Sequence, residues 1–153
     1  MNAPTMNAPA FASRRISRIS LTALALTAAL LAGCSGMHRN MGSAVTLSGA
    51  QEVPPVVTSA TGTARIMVHS DKSVSGRIDT SGLDGTMAHI HIAARGSNGP
   101  VIVPMNKEGS SWVIAPGAKL TDAQYDAYKA GNLYVNVHTA VNKGGEIRAQ
   151  LVP

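Results

Sequence analysis

The sequence of 153 residues predicts an all-β domain interrupted by one short helix. Three observations carry that expectation. From about Ala44 onward, apolar and polar residues alternate with period two, in short runs bounded by Gly, Asn, Asp and Pro. One segment, 121–130, instead has helix-forming composition between a capping threonine and a glycine. Ahead of both, residues 1–33 read as a sorting signal that takes no part in the fold.

Strands are expected near 45–49, 62–69, 73–80, 86–94, 100–105, 111–114, 132–139 and 145–152. Pro54-Pro55 cannot sit in a central strand and marks an edge or a crossing. Ser81-Gly82 and Asp84-Gly85 supply turn chemistry. Beyond Phe11 the aromatic residues are Trp112, Tyr125, Tyr128 and Tyr134, so the core must come mainly from Val, Ile, Leu, Ala and Met. In the helix, Thr121 is the expected N-cap and Gly131 the stop. Leu120, Gln124 and Tyr128 share one helical face, as do Tyr125 and Tyr128, so the helix is expected to lie across an end of a sandwich.

The N-terminal segment has three parts. Arg14, Arg15 and Arg18 form a basic region, and residues 19–31 are an apolar run. The run is too short for the roughly 20 residues of a bilayer crossing but suits a secretion signal. It ends in Leu31-Ala32-Gly33-Cys34, which resembles the lipobox of bacterial lipoproteins. There the cysteine thiol carries diacylglycerol, and small residues before it admit the peptidase. Cys34 is accordingly the expected lipidation site and new N-terminus, with several acyl chains, palmitate among them, giving a stable membrane anchor. Ser35, rather than Asp, favours the outer membrane facing the periplasm. Residues 34–43 then read as the lipidated cysteine and a flexible tether, and 44–153 as the domain. Met37, His38 and Met41 in that tether are an incidental cluster of soft ligands. A twin-arginine signal is disfavoured because Ser17 and Arg18 stand where it wants apolar residues.

Charge excludes one class of partner. The chain carries +5, but loss of the three signal arginines leaves ten basic side chains against eight acidic ones, a net +2. These are scattered, and no dense basic stripe for nucleic acid is present. The single cysteine allows no intrachain disulfide. No G-x-S-x-G element exists, and the turn Gly96-Ser97-Asn98-Gly99-Pro100 lacks the lysine and following helix of a phosphate loop.

The chemistry that stands out is histidine. In Ala88-His89-Ile90-His91-Ile92, alternation puts His89 and His91 on one face, their Cα atoms about 6.5–7 Å apart, and Ala88, Ile90 and Ile92 on the other. A His-x-His pair plus one distant His is a common zinc or copper arrangement on β scaffolds. His138 is the expected third ligand, since Leu133, Val135 and Val137 face the core and Tyr134, Asn136 and His138 share the opposite face. If loop 139–145 closes a symmetric hairpin, His138 lies opposite Glu146 and Asn136 opposite Arg148, within a residue or so. Glu146 can then orient the His138 imidazole, serve as a fourth ligand, or pair with Arg148. The competing reading is a metal-free network in which these histidines bond to backbone. His69 reads as a surface residue.

Six motifs run in order through the domain: LSGAQEVPPV at 47–56, GTA at 62–64, AHIH at 88–91, GPV at 99–101, YVNVHT at 134–139 and GEIRAQL at 145–151. Together they resemble the CHRD (chordin-type) domain family over nearly all of 45–152. Two departures are small: Ala149 stands where the family usually has glycine, and Asn142-Lys143-Gly144 replaces a proline-bearing loop. The resemblance implies a Greek-key β-sandwich related to immunoglobulin-like or copper/zinc superoxide dismutase-like folds. It implies little about activity, because fold does not fix function. The expected function is an envelope lipoprotein that binds copper first and zinc second, without catalysis, its membrane contact being the lipid on Cys34 and its protein partner unspecified. The alternative is a metal-free structural or protein-interaction module of the envelope. An enzyme ranks third: a three-histidine zinc site with an open position can activate water, whereas a dismutase centre needs more ligands than the domain's histidines supply.

Overall fold

The computed structural model describes residues 43–153. The expected signal segment 1–33, the lipidation site Cys34 and tether residues 34–42 lie outside the described residues. The described chain forms β1 (Ala44–Ser48), a 3-10 turn (Gly49–Gln51), β2 (Thr61–Val68), β3 (Val74–Ser81), β4 (Gly85–Ile92), β5 (Val101–Glu108), β6 (Ser111–Ile114), α1 (Asp122–Lys129), β7 (Leu133–Thr139) and β8 (Ile147–Gln150). All eight expected strands and the helix are present. β5 runs three residues further than expected, and regular pairing of β8 begins at Ile147 rather than 145.

Every pairing is antiparallel, in the order β1-β2-β3-β6-β5-β4-β7-β8, and Ser48 pairs with Arg148 to close the sheet into a barrel. The expected all-β fold with one short helix is therefore present, its eight strands forming one continuous closed sheet. Period-two alternation explains the interior. Leu47, Ala64, Ile66, Ile78, Ala88, Ile90, Val103, Met105, Trp112, Ile114, Val135, Val137, Ile147 and Ala149 fill it as one apolar cluster. Gly85 makes room for the single tryptophan: a Cβ there would lie 2.8 Å from the Trp112 ring and 3.0 Å from Val137.

The helix forms as its caps predict. Thr121 accepts from the Gln124 N–H while the Gln124 side chain accepts from the Thr121 N–H, a closed capping box. At the other end Gly131 adopts φ +72°, and the Gly131 and Asn132 N–H groups donate to the Tyr128 and Ala127 carbonyls. Tyr125, Ala127 and Tyr128 pack on the barrel core. Gln124, expected on the packed face, is used in the cap instead.

The outer face is not uniform. On most strands it is solvated, but all of β7 and β8 is buried on both faces. Two loops cover them. Loop 93–100 receives Arg148 at the Ser97 carbonyl and the Asn98 side chain, and Gln150 at the Ala93 carbonyl. The strap 49–60 is held by Thr58 to Glu146 and by Asn98 to the Val53 carbonyl. Under these loops lies a polar layer, and at its edge the histidines.

Candidate metal centre

β4 and β7 build the site as neighbours. Met87 pairs with His138, His89 with Asn136 and His91 with Tyr134, all on the outer face, while Ala88, Ile90, Val135 and Val137 point inward. β4 is irregular before and within the His-x-His motif, between Gly85 and Met87 against β7 and between Ile90 and His91 against β5. Such bulges re-aim side chains. One ring nitrogen each from His89, His91 and His138 lies within 4.8 Å of the others. The ring centroids are 5.0 Å apart for His89–His138, 5.6 Å for His89–His91 and 6.0 Å for His91–His138. All three imidazoles singled out in the sequence therefore meet.

Their hydrogen bonds aim lone pairs inward. The Nδ1–H of His91 donates to the Gly99 carbonyl at 2.9 Å, and that of His138 to the Lys143 carbonyl at 2.9 Å. Each bond leaves Nε2 as the unprotonated nitrogen. The Nε2 of His138 accepts from Nδ1 of His89 at 3.0 Å. The buried Nε2 of His91 has no partner among the described protein atoms. Burial lowers all three pKa values, and the two neighbouring imidazoles help push His89 down to about 4. At neutral pH all three are uncharged, which is the form that binds a metal. An ion held by the three imidazoles would draw these nitrogens closer together than the 4.8 Å within which they lie. His89 must also move its proton from Nδ1 or present Nε2.

Glu146 does not back His138. Its Oε1 accepts from Thr58 at 2.8 Å, and its Oε2 accepts from Thr139 at 2.7 Å and Asn142 at 3.0 Å. These three donors hold its carboxyl below the usual range. The backbone opposition was legible, since Asn136 does pair with Arg148 and the Glu146 N–H donates to the Val137 carbonyl at 2.8 Å. The side chain turns to fasten loop 139–146 and the strap, so the carbonyl of Lys143 takes the orienting role expected of Glu146. The grouped ligand atoms are the three histidines' alone among the described residues. His69 lies apart, its Nε2 facing the Ser75 hydroxyl at 3.3 Å.

Sequence reasoning missed the polar layer next to the triad. Arg148, 1 % exposed, stacks on Tyr134 with its guanidinium carbon 3.4 Å from the ring centroid. From the β4 side His91 stacks on the same ring at 4.7 Å, nearly parallel. Glu52 from the strap is 4 % exposed, and burial lifts its carboxyl to about 7 against the opposing pull of Arg148, the Val53 N–H and Asn136. Gly145, at φ +138°, makes this fit possible, because a Cβ there would stand 2.2 Å from Glu52 Oε1. The signal for this layer was Glu52 within the 47–56 motif, which no periodicity argument assigns to the outer face of a strand 80 residues away.

No curated protein and no solved structure is significantly similar to the chain. The family model for the CHRD domain matches residues 43–151, from the first described residue through the last strand, and the chain belongs to that family.

Proposed function

We propose that the protein is an envelope-anchored lipoprotein whose CHRD domain binds a transition metal, copper or zinc, without catalysis. One observation carries the reading: three uncharged imidazoles on two adjacent strands present ring nitrogens within 4.8 Å of one another. Two of them are pre-oriented by the Gly99 and Lys143 carbonyls, the outer-shell arrangement that metal-binding histidines use. The anchor rests on the sequence around Cys34, which would tether the domain to the outer membrane on its periplasmic side. The order β3-β6-β5-β4, in which three hairpin-linked strands are joined by a returning fourth, supports reading the barrel as a flattened Greek-key sandwich.

The test is metal content after purification from copper- or zinc-supplemented medium. About one ion per chain is expected, and His91→Ala should abolish it. Full stoichiometric metal in that variant would count against the site.

A second reading has its own support. The His89–His138, His91–Gly99 and His138–Lys143 bonds tie two loops to the sheet without any ion, as a structural or interaction module would need. On that reading His→Ala variants lower the melting temperature while metal content stays near zero in every form.

A further inference from the structure

Resting on the three histidines as metal ligands, we propose that Met87 supplies a thioether as the fourth ligand and makes the site selective for Cu(I) over zinc. Met87 is two residues before His89 on β4, so both side chains leave the same face. It pairs directly with His138 across the β4–β7 ladder, which puts their Cβ atoms about 4.5–5.5 Å apart. An unbranched side chain with three rotatable bonds spans such a gap readily.

Packing does not explain a methionine at this position. Met105 is buried in the core cluster, whereas Met87 is 48 % exposed and takes no part in it. The β4–β7 register shifts between Gly85 and Met87, immediately before the Met87–His138 pair.

The donor set decides the ion. Three neutral imidazoles and a neutral thioether bring no negative charge, and the Glu146 carboxylate is engaged by Thr58, Thr139 and Asn142. Soft thioethers select Cu(I). Protein zinc sites draw on thiolate, imidazole and carboxylate.

The experiment uses the full chain with Cys34→Ser, which removes its one thiol. Cu(I) affinity is measured anaerobically against a chromophoric chelator, and Zn(II) affinity separately. Met87→Leu keeps the side-chain volume. It should weaken Cu(I) by tenfold or more, leave Zn(II) within about twofold, and remove a sulfur scatterer from the copper X-ray absorption spectrum. Met37→Leu/Met41→Leu should keep that sulfur. The proposal is overturned if Met87→Leu leaves Cu(I) affinity and an all-nitrogen shell unchanged, in which case the three-histidine site stands. It is equally overturned if the sulfur disappears with Met37 and Met41, or if Met87→Leu weakens both metals alike. Failure of the parent protein to bind either metal removes the three-histidine reading itself.

Discussion

The inner and outer faces of β7 are both buried, yet they are chemically opposite. Inward, Leu133, Val135 and Val137 meet Ile90, Ile147 and Ala149 in a dry core. Outward, Tyr134, Asn136 and His138 meet His89, His91, Glu52 and Arg148 under two loops. The inner face gains from every contact, about 1.5–3 kcal/mol for each large side chain removed from water. The outer face holds three buried polar atoms without hydrogen-bond partners among the described residues, Glu52 Oε1, His91 Nε2 and Asn136 Oδ1, and such an atom typically costs about 1–3 kcal/mol. Stability alone does not favour covering these groups. The difference teaches that the outside of β4, β7 and β8 is where the fold has departed from its own packing logic, which is where function is to be sought.

The largest effect should come from breaking the inner face. Ile90→Ala, at a fully buried position between His89 and His91 in sequence, should lower unfolding free energy by about 2–5 kcal/mol in denaturant melts. A loss under 1 kcal/mol would mean that the interior is not packed as described.

Next in size is the pH response of the outer face. The folded pKa of Glu52 is raised from 4.5 to about 7, so folding favours its protonated form. That contribution is complete below about pH 4.5 and disappears as pH rises through 7, an effect on the order of 3 kcal/mol at most. The histidines run the other way. Their pKa values are lowered, so their contribution is complete above about pH 6.5 and fades as pH falls, toward about 4 for His89. Glu52→Gln should therefore gain on the parent protein between pH 5 and 8 and match it near pH 4, as read from melts at fixed ionic strength. Parallel curves across that range would show that Glu52 titrates normally.

These two faces were not equally legible in the sequence. Alternation in 133–138 and 147–151 assigns Val135, Val137, Ile147 and Ala149 inward and His138, Asn136 and Arg148 outward, and the caps at Thr121 and Gly131 fix the helix. The pairing of Asn136 with Arg148 followed from hairpin symmetry, and His138 was read as the distant histidine of a His-x-His set, which the β4–β7 ladder brings beside His89 and His91. Alternation says which way a side chain points but not whether anything lies above it. The strap carrying Glu52 reaches β7 and β8 through Gly145 and Asn136, contacts that join residues far apart in the chain. Barrel closure was hidden for the same reason: it depends on β1 lying beside β8, the first and last strands of the chain, a non-local pairing that no local pattern encodes. Glu146 was misdirected because hydroxyls at Thr58 and Thr139 and the amide of Asn142 compete for its oxygens better than an imidazole that already has the Lys143 carbonyl.

Metal loading comes third. An ion that binds the folded chain alone stabilises it by about 2.7 kcal/mol at a hundredfold excess over Kd. Adding copper or zinc should raise the melting temperature of the parent protein and of Glu52→Gln alike, since Glu52 stands outside the grouped ligand atoms. His91→Ala should show no metal-dependent rise. A rise that survives in His91→Ala would place the ion elsewhere.

The smallest expected effect separates histidine as a residue type from histidine in this setting. His69 sits just beyond β2, exposed, with the Ser75 hydroxyl as its ring partner and no other imidazole grouped with it among the described residues. It has neither the burial of the triad nor a neighbouring strand that brings a second ring nitrogen within reach. His69→Ala should therefore change stability by no more than about 0.5 kcal/mol and leave bound metal per chain unchanged. Loss of metal in that variant would mean that scattered surface imidazoles, rather than the covered face of β4 and β7, are what collects the ion, and the contrast between the two faces would then say nothing about function.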